Sequence, residues 1–320
     1  MVTADRAEWL RLERAVGLGE RVYTRAEVSE RTGVAPENSR RLWRALGFPD
    51  AGDDQRIFTE ADADMLRMAA ALVQDGAVAP EVAVQVTRVL GQSLARVADA
   101  QATSFGLALS GDPAVLTATV EAIQPTLESF LTYAWRRHLV AALKSRMEIT
   151  ATGRSEVACV GFADLVGFTA ASQQLTYAEL AAMVERFEAL VYDIIAIHGG
   201  RVIKMIGDEV MFAVGDPVAA CHLALGIAEA CEADALIPSA RVGVAQGETL
   251  RQEADLFGPT VNLASRLVNL ANPGTVVISD ELASSVVDEA GFVVRSIRPR
   301  RLRGIGTVQL HVLRRSPGRG

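Results

Sequence analysis

Two short segments of this chain place acidic residues where chemistry can be done: FADLVGFT (Phe162–Thr169) and KMIGDEVMF (Lys204–Phe212). Each interrupts an apolar run with a carboxylate, Asp164 in the first and Asp208 in the second. Two carboxylates brought together on neighbouring strands are the minimum that holds two divalent ions against a triphosphate. A lone aspartate at a strand end is usually a surface residue or a helix cap; two in such flanks form a much rarer pattern. Gly167 permits a close backbone approach, and the turn it sits in opens toward a helix whose N–H groups can cradle phosphates.

A third segment, DLFGPTVNLASRL (Asp255–Leu267), carries Asn262 and Arg266 four positions apart, so both fall on one face of a helix. Arg266 offers a planar cation suited to a phosphate whose charge grows in a transition state. Asn262 is suited to positioning a ribose hydroxyl or ring oxygen. An ordinary helix with one polar side fits the same spacing.

These residues need elements to position them. The first third reads as helices: 24–33 with Thr24 and Glu27 at capping-box spacing, 36–47 opened by Pro36, and a helix capped by Thr59, with further amphipathic segments near 80–99 and 113–124. Residues 125–148 form a connecting helix opened by Pro125. Its apolar stripe is Leu127, Phe130, Leu131, Ala134, Trp135, Leu139 and Leu143. The polar stretch Thr150–Ser155 marks a domain boundary. Beyond it the period changes. A buried strand at 156–163 precedes a long helix at 176–198, then a hairpin of 201–206 and 210–214 turned by Gly207-Asp208-Glu209. Helices at 217–233, 259–270 and 280–288 alternate with strands at 239–247, 275–279, 292–297 and 307–313. The order predicts an α+β fold: an all-helical N-terminal domain, then a mostly antiparallel sheet with helices on one face. The domains are 1–124 (helical), 125–152 (connector), 153–314 (sheet domain) and 315–320 (tail).

Bulk properties narrow the class. Net charge is −7, with 17 basic against 20 acidic residues in 1–150 and 15 against 19 in 151–320, so neither half is basic enough to point to nucleic acid. Cys159, Cys221 and Cys231 sit in apolar patterns without metal-ligand spacing and read as reduced core residues of a cytoplasmic protein. The N-terminus lacks a signal-peptide pattern and no apolar run is long enough to span a membrane.

Together, these segments resemble the class III nucleotidyl cyclases over about residues 156–312. FADLVGFT resembles the first metal segment of that family. KMIGDEVMF resembles the second and carries a base-selecting lysine. DLFGPTVNLASR resembles the segment with the other base reader and the transition-state pair, and RLRGIG (Arg301–Gly306) resembles the one that supplies a triphosphate-binding cation. The resemblance implies that Asp164 and Asp208 hold two divalent cations per site, Mg²⁺ or Mn²⁺, and that Lys204 and Asp255 read the base. It also implies that Asn262 orients the ribose, Arg266 stabilises the reacting phosphate and Arg303 meets the β- and γ-phosphates. Adenine offers a donor at its amino group and an acceptor at N1, so an Asp acceptor and a Lys donor favour ATP over GTP. The expected reaction is in-line attack of the ribose 3′-hydroxyl on the α-phosphate, giving 3′,5′-cyclic AMP and pyrophosphate. The family builds its site across a two-fold interface, the carboxylates from one chain and the remaining residues from the other, which implies a homodimer with two sites.

Residues 23–47 resemble the helix-turn-helix opening of MerR-type regulators, with Arg40, Arg41 and Arg44 on the second helix. Six acidic residues lie within 21–56 against seven basic ones, so the patch is modest. DNA binding by this segment, with a cyclase-like half that only binds nucleotide, is the alternative reading. The second half also resembles soluble actinobacterial-type cyclases with an N-terminal helical regulatory domain. His138, beside Arg136 and Arg137 in the connecting helix, is the candidate for a pH response.

Overall fold

The computed structural model describes residues 6–50, 52–108, 112–152, 156–252 and 255–317. Contacts divide the chain into two units, Met1–Lys144 and Ser145–Gly320.

The first unit is helical: α1 (Arg6–Ala15), α2 (Arg25–Thr32), α3 (Pro36–Ala45), α4 (Glu60–Gln74), α5 (Pro80–Ala108) and the start of α6 (Pro113–Thr152). The expected capping box forms at Thr24, whose hydroxyl accepts from Glu27 N while the Glu27 carboxylate accepts from Thr24 N. Thr59 and Asp62 repeat the device at α4. Trp43 packs on Phe48 and Phe58, with ring centroids 4.6 and 4.8 Å away, and closes a small core around Val28, Val34 and Ala63.

The connector differs from expectation. The helix does not open at Pro125 but at Pro113, and Pro125 lies inside it. The stronger start is Asp112-Pro113: Asp112 Oδ1 accepts from Ala114 N at 2.9 Å, and proline suits the first helical position. The apolar pattern of 113–124 continues in phase past Pro125, which removes one backbone donor without ending the helix. The expected boundary at Thr150–Ser155 falls partly on residues 153–155, outside the described residues.

The second unit runs β1 (Glu156–Leu165), α7 (Phe168–Ser172), α8 (Tyr177–Ile197), β2 (Arg201–Ile206), β3 (Glu209–Val214), α9 (Pro217–Ala233), β4 (Ala240–Gln252), β5 (Asp255–Phe257), α10 (Pro259–Val268), β6 (Val276–Ser279), α11 (Asp280–Val286), β7 (Phe292–Leu302) and β8 (Gly306–Arg315). Strand order is β2-β3-β1-β4-β6-β8-β7, with β5 paired to β4. Only β4–β6 is parallel. Helices cover both faces, not one. On one face Phe187, Val191 and Ile195 of α8, Leu223 and Ile227 of α9 and Leu282 of α11 pack over Cys159, Phe212 and Val244. On the other, Ala264, Leu267 and Val268 of α10 pack over Val160, Phe162, Met211 and Leu310. Such two-sided burial is why β1, β3 and β4 read as nearly unbroken apolar runs. All three cysteines are buried in the first of these cores, which pushes each thiol up to about 12.

Candidate active site

The two acidic segments meet at one end of the sheet. β1 lies between β3 and β4, and in register Asp164 stands opposite Glu209 on one side and Arg241 on the other. Gly207 takes the left-handed conformation (φ 63°) that the tight β2–β3 turn requires, and this sets Asp208 at the hairpin tip. Leu165 N donates to Asp208 O at 3.3 Å and ties the tip to the end of β1. The alternation of β1 buries Ala163 and Leu165 among α8 and α9 and leaves Asp164 on the α10 face, together with Glu209 and Arg241.

Arg241 Nε donates to Asp164 Oδ2 at 2.7 Å. Burial holds the Asp208 carboxyl above the usual carboxylate range. The charge of Asp164 and a hydrogen bond shared with it add to the rise, against a backbone hydrogen bond and the Arg241 charge. Glu209 is raised in the same way, by burial first and then by Asp164 and Asp208, with Arg241 and Lys204 opposing. Acceptor-rich oxygens crowded into a half-buried corner suit a hard divalent cation. Asp164 and Asp208, the two expected ligands, both lie in this corner, with Glu209 beside them. Among the described residues, no group of three or more His, Cys, Asp or Glu side chains is disposed to hold a metal unaided. A cation held here would need its remaining ligands from water and phosphate oxygens, as Mg²⁺ commonly does.

Lys204 and Asp255 form a second constellation. Lys204 lies on β2 just after a register shift, opposite Met211 of β3. Asp255 opens β5, a strand that the sequence pattern missed because it is only three residues long. Leu256, 2 % exposed, anchors it. Lys204 Nζ donates to Asp255 Oδ2 at 2.6 Å, with both side chains about a third exposed.

Asn262 and Arg266 stand on the outer face of α10, as their spacing predicted, and both are exposed. Helix α10 lies flush on the sheet because Gly243 of β4 leaves it room: a Cβ there would sit 2.1 Å from Val268 N. Arg303 is exposed in the turn between β7 and β8. Among the described residues, neither Arg266 nor Arg303 has a hydrogen-bond or ion-pair partner, and no such contact links them to Asp164 or Asp208 within one chain. One chain thus assembles the carboxylate corner and the lysine–aspartate pair, and leaves Asn262, Arg266 and Arg303 facing outward.

Two residues escaped the sequence reading. Arg241 is the lone charge in ARVGV, on the opposite strand face from buried Val242 and Val244, and that alternation was its only mark. Glu209 was read as part of the turn but begins β3 on the same face as Asp164. His138 is exposed on α6. The arginines of the helix-turn-helix-like segment are partly answered: Arg40 pairs with Asp53 at 2.7 Å and Arg44 with Asp50. Among the described residues, no helix is long and apolar enough to cross a membrane.

Comparison with known proteins identifies the family. Residues 150–315 match the family model described as adenylate and guanylate cyclase catalytic domain, and residues 2–110 match that described as adenylate cyclase regulatory domain. An adenylate cyclase of Glutamicibacter nicotianae is 34 % identical, over 97 % of this chain and 83 % of its own length. An adenylate cyclase of Streptomyces coelicolor is 36 % identical, over 97 % and 91 %. A pH-sensitive adenylate cyclase of Mycobacterium tuberculosis is 32 % identical, over 92 % and 78 %. A regulatory match, a catalytic match and relatives aligned along almost the whole chain lead to one conclusion: the chain belongs to the class III nucleotidyl cyclases, as an adenylate cyclase that carries its own regulatory domain.

Proposed function

We propose that this chain converts ATP to 3′,5′-cyclic AMP and pyrophosphate at two equivalent sites of a homodimer. The observation that carries the reading is the Lys204–Asp255 pair, 2.6 Å apart, which sets a donor beside an acceptor as the adenine edge demands. A guanine edge would meet each with the wrong partner and leave two partly buried groups unpaired.

Asp164 and Asp208 would hold the two divalent cations, Mg²⁺ or Mn²⁺. When bound, these supply Lewis-acid activation of the ribose 3′-hydroxyl and charge neutralisation on the triphosphate. Arg241, bonded to Asp164 before substrate arrives, keeps that carboxylate in place. Lys204 and Asp255 exchange their mutual contact for the base and so fix the nucleoside. Asn262 orients the ribose for in-line attack, and Arg266 meets the charge that develops on the α-phosphate. Arg303 holds the β- and γ-phosphates, so that pyrophosphate leaves along a fixed line.

The outward-facing Asn262, Arg266 and Arg303 make functional sense in a two-fold dimer, where they reach the carboxylate corner of the partner subunit. Phe130, Trp135 and Leu143 of α6 are 67 %, 59 % and 53 % exposed, an apolar stripe that suits a dimerising connector. Residues 1–124 then act as a regulatory domain upon a catalytic domain of 153–314 through α6, and the chain works in the cytoplasm. His138 on α6 is the candidate for pH control, which the pH-sensitive relative makes worth testing. The DNA-binding alternative is disfavoured by the pairing of Arg40 and Arg44 with loop aspartates.

The test is incubation of the full chain with ATP and Mn²⁺ and assay for cyclic AMP. Wild type is expected to form it, and Asp208→Ala to form none while retaining its fold. Absence of product with every divalent cation would overturn the reading. An unchanged pH–activity profile in His138→Ala would remove that residue from the regulation.

A further inference from the structure

The helical unit has an open surface hollow outside the proposed cyclase site. It measures about 410 Å³ and lies between α3 and α5. Arg40, Arg41 and Arg44 come from α3 and Arg88 from α5. Glu37 is the one acidic residue of the lining, and buried Ala45 and Val84 complete it. The packing that creates it is specific. Gly91, nearly one turn beyond Arg88, abuts the C-terminal end of α3 so closely that a Cβ there would sit 2.4 Å from Leu46 O. Backbone contact at that point fixes Arg88 across from the α3 arginines.

Charge in the cavity is not balanced by the protein. Asp50 and Asp53 are shared among Arg25, Arg40 and Arg44, three cations over two anions. Arg41 and Arg88 have no hydrogen-bond or ion-pair partner among the described residues. Arg41, Arg44 and Arg88 are exposed around this open hollow, and planar guanidinium forks match phosphate oxygens in pairs. The volume falls in the range of small-molecule sites. A duplex needs a projecting helix, whereas Arg40 and Arg44 on α3 are drawn back to the loop aspartates and the remaining charge lines a hollow.

We propose that this cavity binds a small oligophosphate anion, held by Arg41 and Arg88 with Arg40 and Arg44 at its rim. The shared chemistry is two or more linked phosphates, whether free or carried on a nucleotide.

The experiment is calorimetric titration of the full-length chain with tripolyphosphate in EDTA, which suppresses metal-dependent binding at the cyclase centre. Wild type is expected to bind one equivalent per chain, more weakly as salt rises. The double variant Arg41→Gln/Arg88→Gln should lose about tenfold or more in affinity, the usual scale for charge-assisted contacts. Arg41→Lys/Arg88→Lys, which keeps the charge and the fold, should retain part of it. Arg266→Ala/Arg303→Ala should bind as wild type does. Equal affinity in the Gln variant, or loss only in the Arg266/Arg303 variant, would overturn the proposal. So would a random-sequence DNA duplex that binds more tightly than tripolyphosphate and is lost with Arg41 and Arg88. Displacement of tripolyphosphate by ATP, compared with pyrophosphate, tells a nucleotide from a free anion.

Discussion

Arg241 and Asp164 face each other across β1 and β4, joined by a 2.7 Å hydrogen bond from Nε to Oδ2. The guanidinium is the direct counter-charge to a corner that also contains Asp208 and Glu209, both raised by burial and by neighbouring carboxylates. Arg241→Gln should therefore destabilise the metal-free chain by about 1–3 kcal/mol, the range for stranding a partly buried hydrogen-bonded group. Saturating Mn²⁺ restores positive charge to the same carboxylates, so the deficit should shrink. Melting temperatures of wild type and variant, in EDTA and in Mn²⁺, check this. Equal deficits under both conditions would mean that Arg241 contributes packing and not charge.

Lys204 and Asp255 are bonded to each other, so changing either one alters the surroundings of the other. Lys204→Glu alone sets two carboxylates face to face and should lower stability. Adding Asp255→Cys removes the repulsion, so the double variant should melt above Lys204→Glu, a non-additivity expected of contacting residues. Its ATP-over-GTP preference should fall by about a hundredfold or more, because both hydrogen-bonding polarities are reversed or lost. A double variant that keeps the full preference for ATP would end the base-reading assignment of the pair.

How much of this was legible beforehand depends on the length scale of each determinant. The Thr24–Glu27 box, the Asn262–Arg266 helix face and the Gly207 turn are local, and their residues announce them. The long α6 was misread at Pro125 because a proline looks like a start signal, while the true cap at Asp112 lay upstream. Burial of the sheet on both faces was hidden: whether α10 packs with α8 and α9 or opposite them is decided by chain crossover, not by periodicity. Arg241 is non-local in the same sense. Its partner is distant in sequence, and only strand register brings the two together.

His198, the residue that ends α8, stacks near His222 of α9, with ring centroids 6.0 Å apart. His222 also contacts Phe292 and Arg315, and Arg315 pairs with Glu229. Burial lowers the His198 pKa below the usual 6.5, and the charges of His222 and Arg315 lower it further. With the folded pKa depressed, the unfolded chain binds more protons as pH falls below 6.5, so stability is lost from that point down to the folded pKa. Above 6.5 the residue contributes nothing to the slope. His198→Asn should therefore flatten the fall in melting temperature between about pH 6.5 and 5, and leave it unchanged near pH 8. A variant that parallels wild type throughout would assign the acid sensitivity elsewhere.

The proposed division of labour between two chains makes the sharpest prediction. Asp208 sits at a hairpin tip bound to β1, while Arg266 projects from α10 with no hydrogen-bond or ion-pair partner among the described residues. Asp208→Ala and Arg266→Ala chains should each be inactive alone, the second by a factor of about 10²–10³ in kcat, as for loss of a donor that meets transition-state charge. Mixed in equal amounts and allowed to exchange, half of the dimers become hybrids. Each hybrid has one site with both residues intact and one with neither. Activity should return to about a quarter of that of wild type. A site complete within a single chain would leave the mixture as inactive as its parts, since every site would then lack either the carboxylate or the arginine.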